Sequence, residues 1–177
     1  MRYCLNINEL LELNVSQLRR KISNSYKKRL LSLTLKDLLF CEDNPIKPSI
    51  GVYIFFDQDD NVIYVGKSSS RSFIERIPPH FDFREKTWFR TLSKLWGREK
   101  NGGYNEKVAI KSSKEALDQC SIILISVNNV GRKNAEIVCS KLEKILKLVL
   151  KPAFQRNQPF VEYSKHTKLR NFLKSKI

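Results

Sequence analysis

Apolar residues recur at helical spacing through residues 7–40. Leu10, Leu11, Leu13, Val15, Leu18 and Ile22, and later Leu30, Leu31, Leu33 and Leu38, surround the basic clusters Arg19-Arg20-Lys21 and Lys27-Lys28-Arg29. The spacing predicts a helical N-terminal segment. It ends at Asn44-Pro45 and Lys47-Pro48, because a residue preceding proline is driven out of helical geometry. Residues 1–49 therefore read as a helical extension, residues 50–157 as the main domain and residues 158–177 as a basic, partly helical tail.

Past the prolines the period changes from helix to strand. Gly51 to Phe56 and Val62 to Gly66 are rich in β-branched and aromatic residues, and Asp57 to Asn61 between them is turn-forming. This predicts a β-hairpin. An even connecting loop pairs Tyr53 opposite Tyr64 with both rings on one face, whereas an odd loop sends them to opposite faces unless a bulge restores the register.

Ser72 and Glu75 have capping-box spacing and open a short helix, which Pro78-Pro79 stops. Phe89, Leu92, Leu95 and Trp96 predict a helix over Arg84 to Trp96, closed by a loop at Gly97 and Asn101 to Gly103. Val108 to Ile110 reads as a short strand, Ser112 to Leu117 as a short helix and Cys120 to Val127 as a buried strand. Asn134 to Leu150 is the clearest helix. Val138, Leu142, Ile145, Leu146 and Val149 form one stripe, and Glu143, about 100° round from Leu142, borders it.

Composition narrows the class. The chain has 177 residues with 33 Lys and Arg against 18 Asp and Glu, a net charge of +15 spread over all three segments. So unbalanced a surface repels itself unless it meets a polyanion, and nucleic acid is the first candidate; the bland alternative is solubility alone. The basic helix around Lys21 to Arg29, the loop from Gly97 to Glu106 and the tail from Lys165 to Lys176 are candidate DNA contacts, and Arg98, Lys100 and Lys107 read equally as plain surface charges. Cys4, Cys41, Cys120 and Cys139 form no CxxC pair and lack histidines at zinc-finger spacing, which argues against structural zinc and suits a reducing compartment. Neither a signal peptide nor a membrane-length apolar run is visible. The expectation is a cytoplasmic protein with no membrane partner.

Gly51-Val52-Tyr53 and Tyr64-Val65-Gly66, separated by ten residues, resemble the signature of the GIY-YIG nuclease superfamily. Further elements follow in order: Phe73-x-x-Arg76, His80, and a late helix bearing Glu143 ahead of Lys151-Pro152. The resemblance covers roughly residues 50–157. It implies an α+β fold with a small antiparallel three-stranded sheet flanked by helices. It also implies a metal-dependent endonuclease acting on double-stranded DNA, which the chain length suggests is a free-standing enzyme of restriction or mobile-element kind.

In the roles the resemblance implies, Tyr53 helps to activate water, Arg76 grips the scissile phosphate and Glu143 ligates one Mg2+ or Mn2+ ion. Tyr64 and His80 complete the catalytic set. A tyrosine of ordinary pKa about 10 is a poor base unless cations favour its phenolate, and Lys67, Arg76 and the metal are the candidates for that task. Arg76 offers a planar donor fork to two phosphate oxygens, whereas its bland reading is an exposed helix arginine. One carboxylate binds magnesium weakly, so phosphate and water must complete the shell. His80 reads either as a proton carrier or as a structural histidine, since the prolines interrupt the helix that would set it over Arg76.

Members of the family place an Asn three residues beyond the proline. Here Gln155 stands at that position and Asn157 two residues further, and with Lys67 they form the expected DNA-binding set. The alternative function is a catalytically inactive nucleic-acid-binding module with a degenerate site. One constellation per chain leaves open whether a monomer nicks in sequence or a homodimer cuts both strands.

Overall fold

The protein is described from a computed structural model that places residues 2–41, 48–82, 91–103, 105–128, 132–155 and 167–174. The chain opens with strand β1 (Cys4–Asn6). Asn6 and Glu9 then form a capping box on a 3-10 turn, Ile7–Glu9. Helix α1 (Val15–Asn24) starts on a second box, in which Asn14 and Gln17 each accept the other's backbone N–H. Its inner face is narrow: Leu18 and Ile22, one turn apart, are its buried residues. Strand β2 (Lys28–Arg29), a 3-10 turn at Leu30–Ser32 and α2 (Leu35–Leu39) follow.

The hairpin is β3 (Gly51–Phe56) and β4 (Val62–Ser68). Helix α3 (Phe73–Arg76) gives way to a 3-10 turn at Pro78–Phe81, and α4 (Thr91–Lys100) pairs with α5 (Glu106–Gln119). The chain continues through β5 (Ser121–Ser126), the long helix α6 (Arg132–Leu150) and α7 (Leu169–Lys174).

The fold is α+β, as the sequence predicts, but the sheet differs from the three antiparallel strands expected. Among the described residues it is a mixed sheet of five, in the order β1-β5-β3-β4, with β2 also on β5. The antiparallel centre consists of β4, β3 and β5. The outer edge of β5 is shared, since β1 runs parallel along Leu124 to Ser126 and β2 antiparallel along Ile122 and Ser121. The N-terminal segment is thus not purely helical.

Both faces of the sheet are covered. Val52, Ile54, Phe56, Val65, Ile123 and Ile125 point to α6, α1 and α7, where they meet Leu142, Leu146, Ile22 and Leu169. Tyr53, Phe55, Tyr64, Ile122 and Leu124 point the other way, onto Phe73, Ile77, Leu92, Trp96 and Ala116. Double-sided burial explains why β3 and β5 read as unbroken apolar runs. Leu5, Ile7, Leu10, Leu18 and Ile22 of the N-terminal segment belong to the first of these cores.

Two further elements depart from the sequence reading. Val108 to Ile110 is helical, because Asn105 caps the helix by accepting the Val108 N–H, and the stretch expected to begin a helix at Ser112 lies inside α5. Helix α4 passes through Gly97 to Lys100 instead of ending in a loop, and its buried Gly97 sits on the packed side. The Asn44-Pro45 boundary and the expected start of the helix at Arg84 lie outside the described residues. Among the described residues no helix is long and apolar enough to cross a membrane.

Candidate functional site

The site is built on the hairpin. Five residues, Asp57 to Asn61, connect the strands, and the Asp57 carboxylate closes this loop by accepting the N–H groups of Asp59 and Asn61. An odd loop would by itself set the tyrosines on opposite faces. A register shift at Phe55/Phe56 corrects it, so Tyr53 opposes Gly66, Phe55 opposes Tyr64, and both tyrosines project to one side. Their rings lie 6.3 Å apart in near-parallel planes.

The glycines have steric reasons. A Cβ on Gly66 would stand 2.4 Å from the ring and hydroxyl of Tyr53, so the tyrosine lies flat across its partner strand only because that strand has no side chain there. Gly51, at φ 154°, would drive a Cβ into the Ile125 carbonyl.

Helix α3 brings Arg76 to this face. Its capping box has Glu75 accepting from both the N–H and the hydroxyl of Ser72, at 2.8 and 2.7 Å. The prolines then redirect the chain into a 3-10 turn that swings His80 inward, to 3 % exposure, with Nε2 2.7 Å from the Tyr53 hydroxyl. The imidazole packs edge-on against Tyr53, Phe55 and Tyr64. Its backbone is fixed from α4 and α5: Ser93 Oγ donates to the His80 carbonyl at 3.0 Å, and Ser113 donates to Ser93 at 2.9 Å. The His80 Nδ1 atom is buried with no hydrogen-bond partner among the described residues.

Electrostatics bind the group together. Burial, reinforced by the Arg76 charge, pushes His80 down to about 3, so the imidazole is neutral. Burial and the neighbouring Tyr64 raise Tyr53 well above its ordinary value, against the charge and hydrogen bond of Arg76. Tyr64 is pushed up to about 12 by burial and by the Glu143 charge, with Arg76 again opposing. Arg76 and Glu143 thus both act electrostatically on the two tyrosines, while His80 is in direct contact with both rings. Desolvation of the fully buried Tyr53 ring outweighs the Arg76 guanidinium and favours the protonated phenol.

Lys67, expected to assist, points elsewhere. Strand alternation puts it on the face opposite Tyr53, where its ammonium donates to Ser140 of α6 at 2.6 Å. It does line a cleft of about 240 Å³ together with Ser68, Ser69, Ser70, Arg71 and Arg76. Arg76 thus belongs both to the tyrosine cluster and to a cationic, hydroxyl-rich cleft.

Glu143 borders the buried face of α6 as the periodicity predicts, but Lys147, one turn on, donates to its Oε1 at 2.8 Å. A carboxylate beside an apolar stripe can pair with Arg or Lys as readily as with a metal, and the i, i+4 spacing identifies Lys147 as the partner. Among the described residues no cluster of three or more His, Cys, Asp or Glu could hold a metal. Glu143 offers one hard oxygen ligand, which suits Mg2+ or Mn2+ only where phosphate and water supply the rest.

Gln155 is engaged with the sheet rather than directed at a ligand. Its Oε1 accepts the Val65 N–H at 2.9 Å and its Nε2 donates to the Val65 carbonyl at 3.1 Å. Ala153 and Phe154 donate to the carbonyls of Val62 and Ile63, so this segment runs along the outer edge of β4. Asn157 lies outside the described residues. Much of the N-terminal basic cluster is also occupied internally: Lys27 with Asp60, Lys28 with Asp37, and Arg19 on the Val149 carbonyl at the end of α6.

No family model, no curated protein and no solved structure matches this chain.

Proposed function

We propose that this protein is a divalent-metal-dependent endonuclease that hydrolyses phosphodiester bonds of double-stranded DNA at a GIY-YIG-like site. The observation that carries this reading is the double position of Arg76, which acts on both tyrosines and also lines the cationic cleft with Lys67 and Arg71. The overall charge of +15 supports a phosphate-bearing partner.

In this reading the DNA backbone enters the cleft and Arg76 turns its donor fork from the Tyr53 hydroxyl to the scissile phosphate. That movement has two effects. It gives the buried phenol access to water, and it withdraws from His80 a positive charge that now disfavours protonation. Tyr53 then takes the water proton as it passes its own to His80 Nε2, while Tyr64 orients the water or the phosphate by hydrogen bonding. Glu143 would hold one magnesium or manganese ion, which would supply positive charge to offset the negative charge developing on the phosphate and its leaving oxygen.

A second reading, a nucleic-acid-binding module without hydrolysis, is favoured by the complete burial of Tyr53 and the capture of Glu143 by Lys147. Supercoiled plasmid incubated with Mg2+ separates the two. Nicking by the wild type, lost in Arg76→Ala and Glu143→Ala, supports the enzyme. Salt-sensitive binding that ignores magnesium and leaves plasmid intact supports the module.

A further inference from the structure

We infer that Cys4 and Cys41 form a reversible disulfide that fastens the first strand to the segment entering the hairpin. The two sulfurs lie 2.7 Å apart, less than 1 Å beyond the roughly 2.05 Å of an S–S bond. Cys120 lies elsewhere in the same apolar layer as Cys4 and Cys41, and Cys139 is buried on the other side of the sheet.

The juxtaposition does not depend on two loose side chains finding each other. Cys4 is fixed in β1 by its pairing with Leu124. Cys41 follows α2 and donates its backbone N–H to Ser49 Oγ at 3.1 Å. The same two elements are joined beside the thiols by the Tyr3 hydroxyl, which donates to Asp37 of α2 at 2.6 Å. Both backbones are therefore held, and closing the bond needs only a small side-chain adjustment.

Exposure sets the order of events. Cys4 is buried and Cys41 is partly exposed, so an oxidant meets Cys41 first. With a small-molecule disulfide such as oxidised glutathione, the Cys41 thiolate attacks one sulfur and expels the first glutathione thiolate. The Cys4 thiolate then attacks the Cys41 sulfur of the mixed disulfide and expels the second. Two electrons pass to the reagent, and the two thiol protons end on the two glutathiones released.

The bond would reach toward the site. Ser49, which holds Cys41, also accepts the N–H of Phe73, the first residue of the helix that carries Arg76. The inference itself is independent of the proposed nuclease activity.

The test uses the full chain, treated with excess oxidised glutathione, unfolded, alkylated and peptide-mapped. Of the four cysteines, Cys120 and Cys139 are expected to be alkylated and Cys4 and Cys41 to appear as one linked peptide pair. Dithiothreitol should restore alkylation at all four, and the oxidised protein should melt several degrees higher than the reduced one. Cys4→Ser should instead stop at a glutathione adduct on Cys41. Four alkylated cysteines, a linkage between any other pair, or a wild-type adduct at Cys41 that never closes would overturn the inference.

Discussion

The Tyr53 hydroxyl and His80 Nε2 meet at 2.7 Å beneath the surface, between a phenol that burial keeps protonated and an imidazole that burial keeps neutral. A neutral imidazole leaves one ring nitrogen able to accept. The pair can therefore exchange a proton without creating a charge beforehand, which is what a relay needs and a salt bridge would prevent.

The imidazole makes stability depend on pH in a defined window. The folded pKa is depressed from 6.5 to about 3, so the unfolded chain binds the extra proton between those values. The contribution of neutral His80 is complete above pH 6.5 and is lost as pH falls toward 3. Between pH 7 and pH 5 the loss is about 2 kcal/mol, at about 1.4 kcal/mol per unit. Thermal melts at the two pH values should show a steeper fall for the wild type than for His80→Gln, and parallel falls would contradict a neutral buried imidazole.

Tyr53→Phe keeps the ring against Tyr64, Phe73 and His80 and removes only the hydroxyl. Stability should drop by about 1–3 kcal/mol, since Nε2 joins Nδ1 in lacking a partner. Cleavage, measured on plasmid with Mg2+, should fall by about 10²–10⁴-fold. An unchanged rate would reduce Tyr53 to a packing residue.

The Glu143–Lys147 pair gives opposite expectations for its two members. Glu143→Gln should abolish Mg2+-dependent cleavage. Lys147→Met should release the carboxylate from its ion pair and lower the Mg2+ concentration needed for half-maximal cleavage, with a stability loss of about 3 kcal/mol because the largely buried carboxylate is left without its partner. A magnesium titration of each variant decides the matter, and a higher requirement in Lys147→Met would mean the lysine assists the site.

Gln155→Ala should act on the fold rather than on DNA affinity. It removes two hydrogen bonds to Val65 and is expected to cost about 1–3 kcal/mol in denaturant melts, while a gel shift under folded conditions stays unchanged. Weakened binding by folded Gln155→Ala would return this residue to the DNA-contacting set.

Gly66→Ala places a methyl group 2.4 Å from the fully buried Tyr53 ring and should destabilise by about 3 kcal/mol. Pairing it with Tyr53→Ala in a double-mutant cycle should recover part of that loss.

What the sequence disclosed follows from the range over which each signal acts. The hairpin, β5 and α6 were legible because their apolar runs and stripes are long and local. Strands β1 and β2, of three and two residues, are too short to show any alternation, and the leucines around them match a helix equally well. Val108 and Ile110 suggested a strand by their branched side chains, yet Asn105 and the partner helix α4 decided otherwise. Tyr53, Arg76 and Glu143 were found through spacing within short motifs. The Ser93 bond to His80 and the Gln155 bonds to Val65 join residues 13 and 90 positions apart, and no periodicity encodes such contacts.

The segment from Ala153 to Gln155 also governs how copies of this chain can meet. It occupies much of the outer rim of β4, and at the opposite rim the hydrogen-bonding edge is broken into two stubs, β1 and β2. Among the described residues neither rim presents a long open ladder to which a neighbouring molecule could add a strand. Edge-to-edge pairing of two such sheets, and aggregation seeded from a bare strand, are thereby discouraged.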